Sequence, residues 1–474
     1  MASREVVEGM GVEHLSAEDA TLWCTQSAEA PLLLGGMALC DGASLRDEAG
    51  NLPVDRIRRH VETRLVGMPR FRKLLRSVPL GMGLVWVDDE HFDIARHMRF
   101  ASLPRPGTDD QLREFVARLL ETPLSPYRPL WEFWIVDGLS GDRVAIVPKV
   151  SHVLGDGMAI LGLVLSMFDF EPRLHDDPPQ SWEVSAAPGA AVVLAGALYE
   201  RWRRQAGAAG RLVRALAHPG AVPAQTTALV RAAGSLLGAA SPLPIARPVG
   251  PRRDFAWVRL PLPALEQVKR AEGVKLNDVV LAITTAGLAR YLERAGTEVD
   301  RLRVVVPISI HGVNPAGEIE NRFTMMFVDL AEVTDPLDRL RSVHAETTRS
   351  KESLQGSLAA VALTLGGLVP QRLLRSLAPR LLHHQPFVNV VVTNLTGTRE
   401  PMYLFGSRVL EMYPFVSVTA NLTVMISIVS YTDGLGLGIT VDADAVPDVE
   451  RLAAAIEVAA NELVSAAAEA AGVP

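Results

Sequence analysis

The sequence predicts an α/β protein with mixed sheets flanked by helices, arranged in two domains. Its 474 residues are more than one ordinary hydrophobic core serves. Runs of β-like residues alternate with runs of helical spacing along most of the chain. At 48% hydrophobic and 21% charged, the chain has enough apolar material for both cores and stands well away from disorder.

In chain order, "LLLGGMALCDG" (32–42) is β-like and ends at turn residues. "DQLREFVARLLET" (110–122) is helical, with Leu112, Phe115, Val116, Leu119 and Leu120 on one face. "DRVAIVPKVSH" (142–152) is a second β-like run, and residues 1–185 form the expected N-terminal domain. From 186 to 250 the chain is rich in Ala, Gly, Arg and Pro, which suits a connector carrying helices. The C-terminal domain, 251–474, opens with a strand and helix in "RRDFAWVRLPLPALEQVKRAEG" (252–273). Strong strands follow in "LRVVVPISI" (302–310), "FVNVVVTNL" (387–395) and "GLGLGITVD" (434–442), and no short-period repeat is visible.

Composition excludes several function classes. A net charge of −7 leaves no large basic excess for nucleic acid. Cys24 and Cys40 cannot form a disulfide framework, and without a CxxC pair they suggest no zinc site; both read as buried small hydrophobes in a reduced cytoplasm. The first 20 residues lack the apolar core of a signal peptide. Glycines and a proline break 353–371, and 412–431 reads as two strands, so neither gives the ~20 apolar residues of a membrane span. Two basic, Leu-rich segments, 197–218 and 370–382, read either as interfacial helices or as surface helices with leucines turned inward. The expectation is a cytoplasmic chain able to meet the inner membrane face or a lipid droplet.

The chemistry centres on "KVSHVLGDGMAI" (149–160). A β-like run ends at His152, and Gly155 and Gly157 suit a tight loop around Asp156. A histidine at a strand end is presented where the sheet stops, and its ordinary pKa near 6.5 makes the neutral ring a competent base. Read alone, such a histidine can equally be structural. Ser151 and His152 are adjacent and would point to opposite faces of a strand, and no GxSxG elbow occurs, so a serine hydrolase is poorly supported. HExxH, P-loop and full GxGxxG patterns are missing too, which lowers the odds of a metalloprotease, NTPase or Rossmann enzyme. The pair His383–His384 lacks a downstream Asp-Gly and reads as a helix-to-strand connection.

"SHVLGDG" resembles the HHxxxDG motif of CoA-dependent acyltransferases, with Ser151 in place of the first histidine. The match narrows to the wax ester synthase/diacylglycerol acyltransferase family. "LSAEDATLW" (15–23) is similar to that family's opening, and "RPLWEFWIVDGL" (128–139) contains its PLW motif as Pro129, Leu130 and Trp131. "LNDVVLA" (276–282) contains its Asn-Asp motif as Asn277 and Asp278. "VPISIHG", "NRFTMMFVDL" and "VTNLTGTREPMYLFGSRVLEMYP" follow in the expected order, so the resemblance spans about 13 to 448.

That resemblance implies two chloramphenicol-acetyltransferase-like domains with a substrate channel at their interface. It also implies transfer of an acyl group from long-chain acyl-CoA to diacylglycerol or a long-chain alcohol, with His152 as general base. Acyl-CoA is a co-substrate, and no cofactor or metal is expected. By the same resemblance Asp156 holds the loop through an arginine rather than orienting His152 as in a serine protease, and Gly157 permits the turn. Asn277 and Asp278 read as a helix N-cap or as shapers of the channel; Pro129, Leu130 and Trp131 read as channel wall or core. The alternatives are a polyketide or glycolipid acceptor, or a weakened family member that binds lipid, which only Ser151 favours.

Overall fold

The β-like runs 32–42 and 142–152 become central strands of a large sheet. They are seen in a computed structural model that describes residues 13–15, 17–27, 30–154, 167–173, 182–199, 202, 240–313, 319–353, 380 and 382–472. The first half contains β1 (Glu13–His14), β2 (Leu33–Asp41), β3 (Lys73–Ser77), β4 (Leu84–Asp88), β5 (Met98–Ser102), β6 (Trp131–Leu139), β7 (Arg143–Ser151) and β8 (Phe168–Asp169). The second contains β9 (Arg253–Pro261), β10 (Arg301–Val313), β11 (Ile319–Ala331), β12 (Val390–Leu395), β13 (Tyr403–Leu404), β14 (Ser407–Val416), β15 (Val424–Tyr431) and β16 (Gly434–Asp442). The helices are α1 (Ala17–Thr25), α2 (Gly42–Leu45), α3 (Val54–Leu65), α4 (Asp109–Glu121), α5 (190–199), α6 (Leu262–Glu272), α7 (Leu276–Arg294), α8 (Pro336–Ser353) and α9 (Val449–Ala470).

Two mixed sheets carry the fold. One has seven strands in the order β5-β6-β7-β2-β14-β13-β8, the other six in the order β11-β10-β12-β15-β16-β9, and β1-β4-β3 form a small third sheet. The expected units 1–185 and 251–474 do not coincide with sheet membership. β13 and β14 leave the C-terminal part and join the seven-stranded sheet, where Tyr413 pairs with Met37 and Val416 with Leu34. Periodicity specifies a strand but not its partner, so this exchange has no local signature. Most of the connector, 203–239, lies outside the described residues, as does most of 353–379.

The sheets meet where β14 crosses β16. A Cβ on Gly436 would stand 1.9 Å from the Met412 carbonyl oxygen, and one on Gly438 1.8 Å from that of Pro414. Only glycine allows this approach. Helix α4 closes the seam. Its capping box joins Thr108 Oγ1 to the Gln111 N–H at 3.3 Å and the Gln111 side chain to the Thr108 N–H at 2.8 Å. Its apolar face, Leu112, Val116, Leu119 and Leu120, packs with Phe255, Tyr413 and Phe415. Arg113 then reaches Asp254 at 3.2 Å, and Glu121 accepts the Arg253 N–H at 3.0 Å, so one helix ties both halves.

Candidate active site

β7 is an inner strand, with β6 and β2 on either side, and its residues are buried from Val144 to Ser151. Inner strands of this kind are held by ladders on both edges and give a fixed frame for a reacting group. The strand ends at Ser151, and His152 opens a short 3-10 turn through Leu154. His152 is half-buried, whereas Val153 and Leu154 are buried and anchor the turn. Its N–H donates to the Leu32 carbonyl at 3.1 Å, and the Ser151 N–H to the Leu130 carbonyl at 2.9 Å. Both backbone bonds set the histidine's position without using its ring.

A third segment joins there from the far end of the chain. Leu33, the partner of Ser151 in the ladder, donates its N–H to Ser417 Oγ at 2.7 Å, and the Ser417 N–H returns to the Leu33 carbonyl at 2.9 Å. Ser417 Oγ also donates to the Pro31 carbonyl at 2.6 Å. The ends of β7, β2 and β14 therefore meet beside His152. Nothing local in the sequence marks Ser417, which is separated from Leu33 by 384 positions.

Ser151 is 3% exposed. By alternation along β7 it shares a face with Lys149 and Val147, the face covered by α4. Lys149 is itself buried. Its Nζ donates to the Thr122 carbonyl just past the end of α4, where a cation complements the helix C-terminus. Burial pulls its pKa down to about 8, against a smaller upward pull from Glu132, its partner across the ladder.

Pro129, Leu130 and Trp131 are in the packed interior. Trp131 is wholly buried, donates Nε1–H to the Phe71 carbonyl at 2.7 Å and stacks on His97 at 4.5 Å. His97 Nδ1 bonds the Trp131 carbonyl at 2.8 Å, and burial pushes the imidazole below its ordinary value, so it stays neutral at pH 7. This motif thus supports β7 from behind: Trp131 pairs with Val150, and Leu130 bonds Ser151. Asp156 and Gly157 lie outside the described residues.

Asn277 and Asp278 belong to the other sheet's helix layer, in the first turn of α7. Asp278 is 1% exposed and accepts the Lys275 N–H at 3.0 Å, as a carboxylate in a helix's first turn should. It also receives Thr347 Oγ1 and pairs with His344 Nδ1, both at 2.8 Å, which fastens α7 to α8. The motif is therefore more than a cap. Asn277 Oδ1 accepts Asn394 Nδ2 at 3.4 Å, and Asn394 lies in "VTNLTG", a stretch the sequence had already singled out. His344 and Thr347 carried no such signal. His383 and His384 sit in a turn before β12, and both cysteines are buried and neither is in a disulfide. Among the described residues no group of side chains could hold a metal ion.

The two α/β sheets and their flanking helices have the two-lobed fold of CoA-dependent acyltransferases and condensation domains. Solved structures agree on the fold. A wax ester synthase/diacylglycerol acyltransferase from Marinobacter aquaeolei superposes with a TM-score of 0.67 at 24% identity, covering 96% of this chain and 99% of that one. The first condensation domain of the calcium-dependent antibiotic synthetase does so with 0.60 at 16% identity, covering 96% of each. Sequence models of the wax ester synthase/diacylglycerol acyltransferase catalytic domain and of the WS/DGAT C-terminal domain match residues 15–280 and 319–464. The chain belongs to the wax ester synthase/diacylglycerol acyltransferase family. A probable diacylglycerol O-acyltransferase of Mycobacterium tuberculosis is 32% identical over 468 residues, 96% of each chain. A putative one of the same species is 28% identical over 473 residues, 96% of this chain and 90% of its own.

Proposed function

We propose that the protein transfers the acyl group of long-chain acyl-CoA to the free hydroxyl of diacylglycerol, giving triacylglycerol and CoA. Long-chain alcohols, giving wax esters, are the second acceptor class. His152 takes the proton from the acceptor hydroxyl as the oxygen attacks the thioester carbonyl. The tetrahedral intermediate then collapses, the C–S bond breaks, and the protonated imidazole returns the proton to the CoA thiolate. No covalent enzyme intermediate, metal or cofactor enters this scheme.

The observation that carries the reading is the placement of His152 at the end of an inner strand, in a chain that both domains of the family match. Half-burial gives its ring access to a substrate, while the Leu32 and Leu130 carbonyls hold the backbone. The polar contacts of Asn277 and Asp278 suit the assembly of the second lobe, which forms the other wall of the channel.

The acceptor resides in lipid, so the reaction takes place at a lipid–water boundary, on the inner membrane face or a droplet. Among the described residues no helix is long and apolar enough to cross a membrane, so contact would be from one side. The test is thiol release from palmitoyl-CoA with diacylglycerol, hexadecanol and no acceptor, with products separated by chromatography. Acceptor-dependent thiol and a matching ester are expected. Binding of acyl-CoA without release under any condition would instead favour a lipid-binding member of the family.

A further inference from the structure

Helix α5 is uncharged on every side: residues 190–199 read "AAVVLAGALY". Its inner face is accounted for, since Val193 and Ala197 pack on Val78, Val85 and Val87 of the small sheet. The outer face should then be polar. It is not. Val192 is 38% exposed, Leu198 51%, Tyr199 37% and Trp202, one turn further on, 64%. At about 100° per residue these four fall within roughly a third of the helix circumference. The Tyr199 and Trp202 rings lie 6.2 Å apart.

A further exposed hydrophobe belongs to a turn beside this helix. Between β3 and β4 the chain turns at Leu80, which is 74% exposed and held at φ 62°. A leucine in the left-handed region is uncommon, and an exposed one gains nothing from the protein's own core. Its neighbours Val78 and Met82 pack with the inner side of α5, which puts the turn beside the helix.

The charge next to this patch points to its occupant. Segment 197–218 holds five arginines, at 201, 203, 204, 211 and 214, against the single acid Glu200, in a chain whose net charge is −7. In sequence, two of the five flank Trp202 directly and a third follows at 204. Aromatic rings with an apolar body and a polar edge favour the headgroup level, and nearby arginines favour anionic headgroups. We propose that α5, Trp202 and the Leu80 turn form a docking face that seats on an anionic phospholipid surface. The choice of lipid over a protein partner rests on the acyltransfer reading, which needs an acceptor drawn from a bilayer.

The test compares wild type with a Leu80→Ser/Leu198→Ser/Trp202→Ser variant of the full chain, after checking that both unfold at similar temperatures. Flotation is measured with phosphatidylcholine vesicles with and without phosphatidylglycerol, and thiol release with diacylglycerol in vesicles and with hexadecanol in detergent micelles. Wild type should float with the anionic vesicles, less so as salt rises, and the variant's partitioning should fall at least about tenfold. Variant activity on vesicle diacylglycerol should fall similarly and on micellar hexadecanol change less than about twofold. Equal flotation of the two proteins would overturn the proposal. So would a wild-type dimer, absent from the variant, that never floats, because the face would then cover a second copy. Flotation lost in the variant while neither protein transfers acyl groups would leave the docking face standing and remove the acyltransfer reading.

Discussion

The Leu130 carbonyl accepts the Ser151 N–H at 2.9 Å, so the Pro129-Leu130-Trp131 run is bonded to the residue that precedes His152. The base proposed at His152 would have to be held within a fraction of an ångström of its working position. The motif achieves this through backbone: its side chains fill the core behind the sheet, with Trp131 clamped by the Phe71 carbonyl and the His97 ring.

Two neighbours at the end of β7, its last residue and the one after it, should respond differently to truncation. His152→Ala should lower turnover by about 10²- to 10⁴-fold with little change in folding, because the ring is half-buried and the backbone bonds persist. Ser151→Ala should cost about 1 kcal/mol of stability and far less activity. Parallel rate measurements decide: an equally deep loss at Ser151 would put its hydroxyl in the reaction.

Asp278→Ala removes an acceptor that serves Lys275 N–H, Thr347 and His344 at once. Losing a buried, multiply bonded carboxylate should cost about 3–5 kcal/mol. Urea unfolding reads this directly. Unchanged stability with lost turnover would reassign the residue from joining α7 and α8 to shaping the channel.

Lys149 makes stability depend on alkaline pH. Folded, it loses its proton near 8; unfolded, near its ordinary value of about 10.4. Between these values the unfolded chain binds more protons, so stability from this residue rises with pH. The cost of the buried cation is fully present below about 8 and relieved by about 10.5, amounting to at most about 3 kcal/mol. Wild type should therefore gain on Lys149→Met, in urea midpoint, between pH 7.5 and 10. A constant gap across that range would show that Lys149 titrates normally.

Gly438→Val tests the seam between the sheets. With the Pro414 carbonyl oxygen 1.8 Å from where a Cβ would stand, β14 and β16 must separate. The expected loss is about 3 kcal/mol or more, on the scale of a severe core overpacking. The same change at Gly189, where a Cβ meets nothing within 4 Å and φ is not positive, controls for glycine replacement alone. A Gly438→Val protein as stable as that control would mean the sheets slide apart freely.

Local elements were legible because period and caps are local. The helix expected at 110–122 is α4 at Asp109–Glu121, and 252–273 resolves into β9 and α6. The strand expected to 142–152 stops at Ser151, one residue before the histidine. What stayed hidden is pairing. Leu33 with Ser417, Arg113 with Asp254 and Asp278 with His344 are contacts between distant positions, and each half looks ordinary alone. Backbone acceptors such as the Leu32 and Leu130 carbonyls are equally silent, since every residue has one. The apolar outer face of α5 was obscured by the basic segment it runs into, whose later part lies outside the described residues.

The strand exchange also sets a timetable for synthesis. β2 meets β7 soon after both are made, but its other edge waits for β14, and Asp41 is separated from its contact Ser407 by 366 positions. At about 5–20 residues per second, that leaves an apolar strand edge open for roughly 20 to 70 seconds on each nascent chain. An open edge recruits foreign strands. The protein's yield should therefore depend on translation speed and chaperone supply more than its finished stability would suggest, and a chain truncated before residue 407 should aggregate although β7 and His152 are both present.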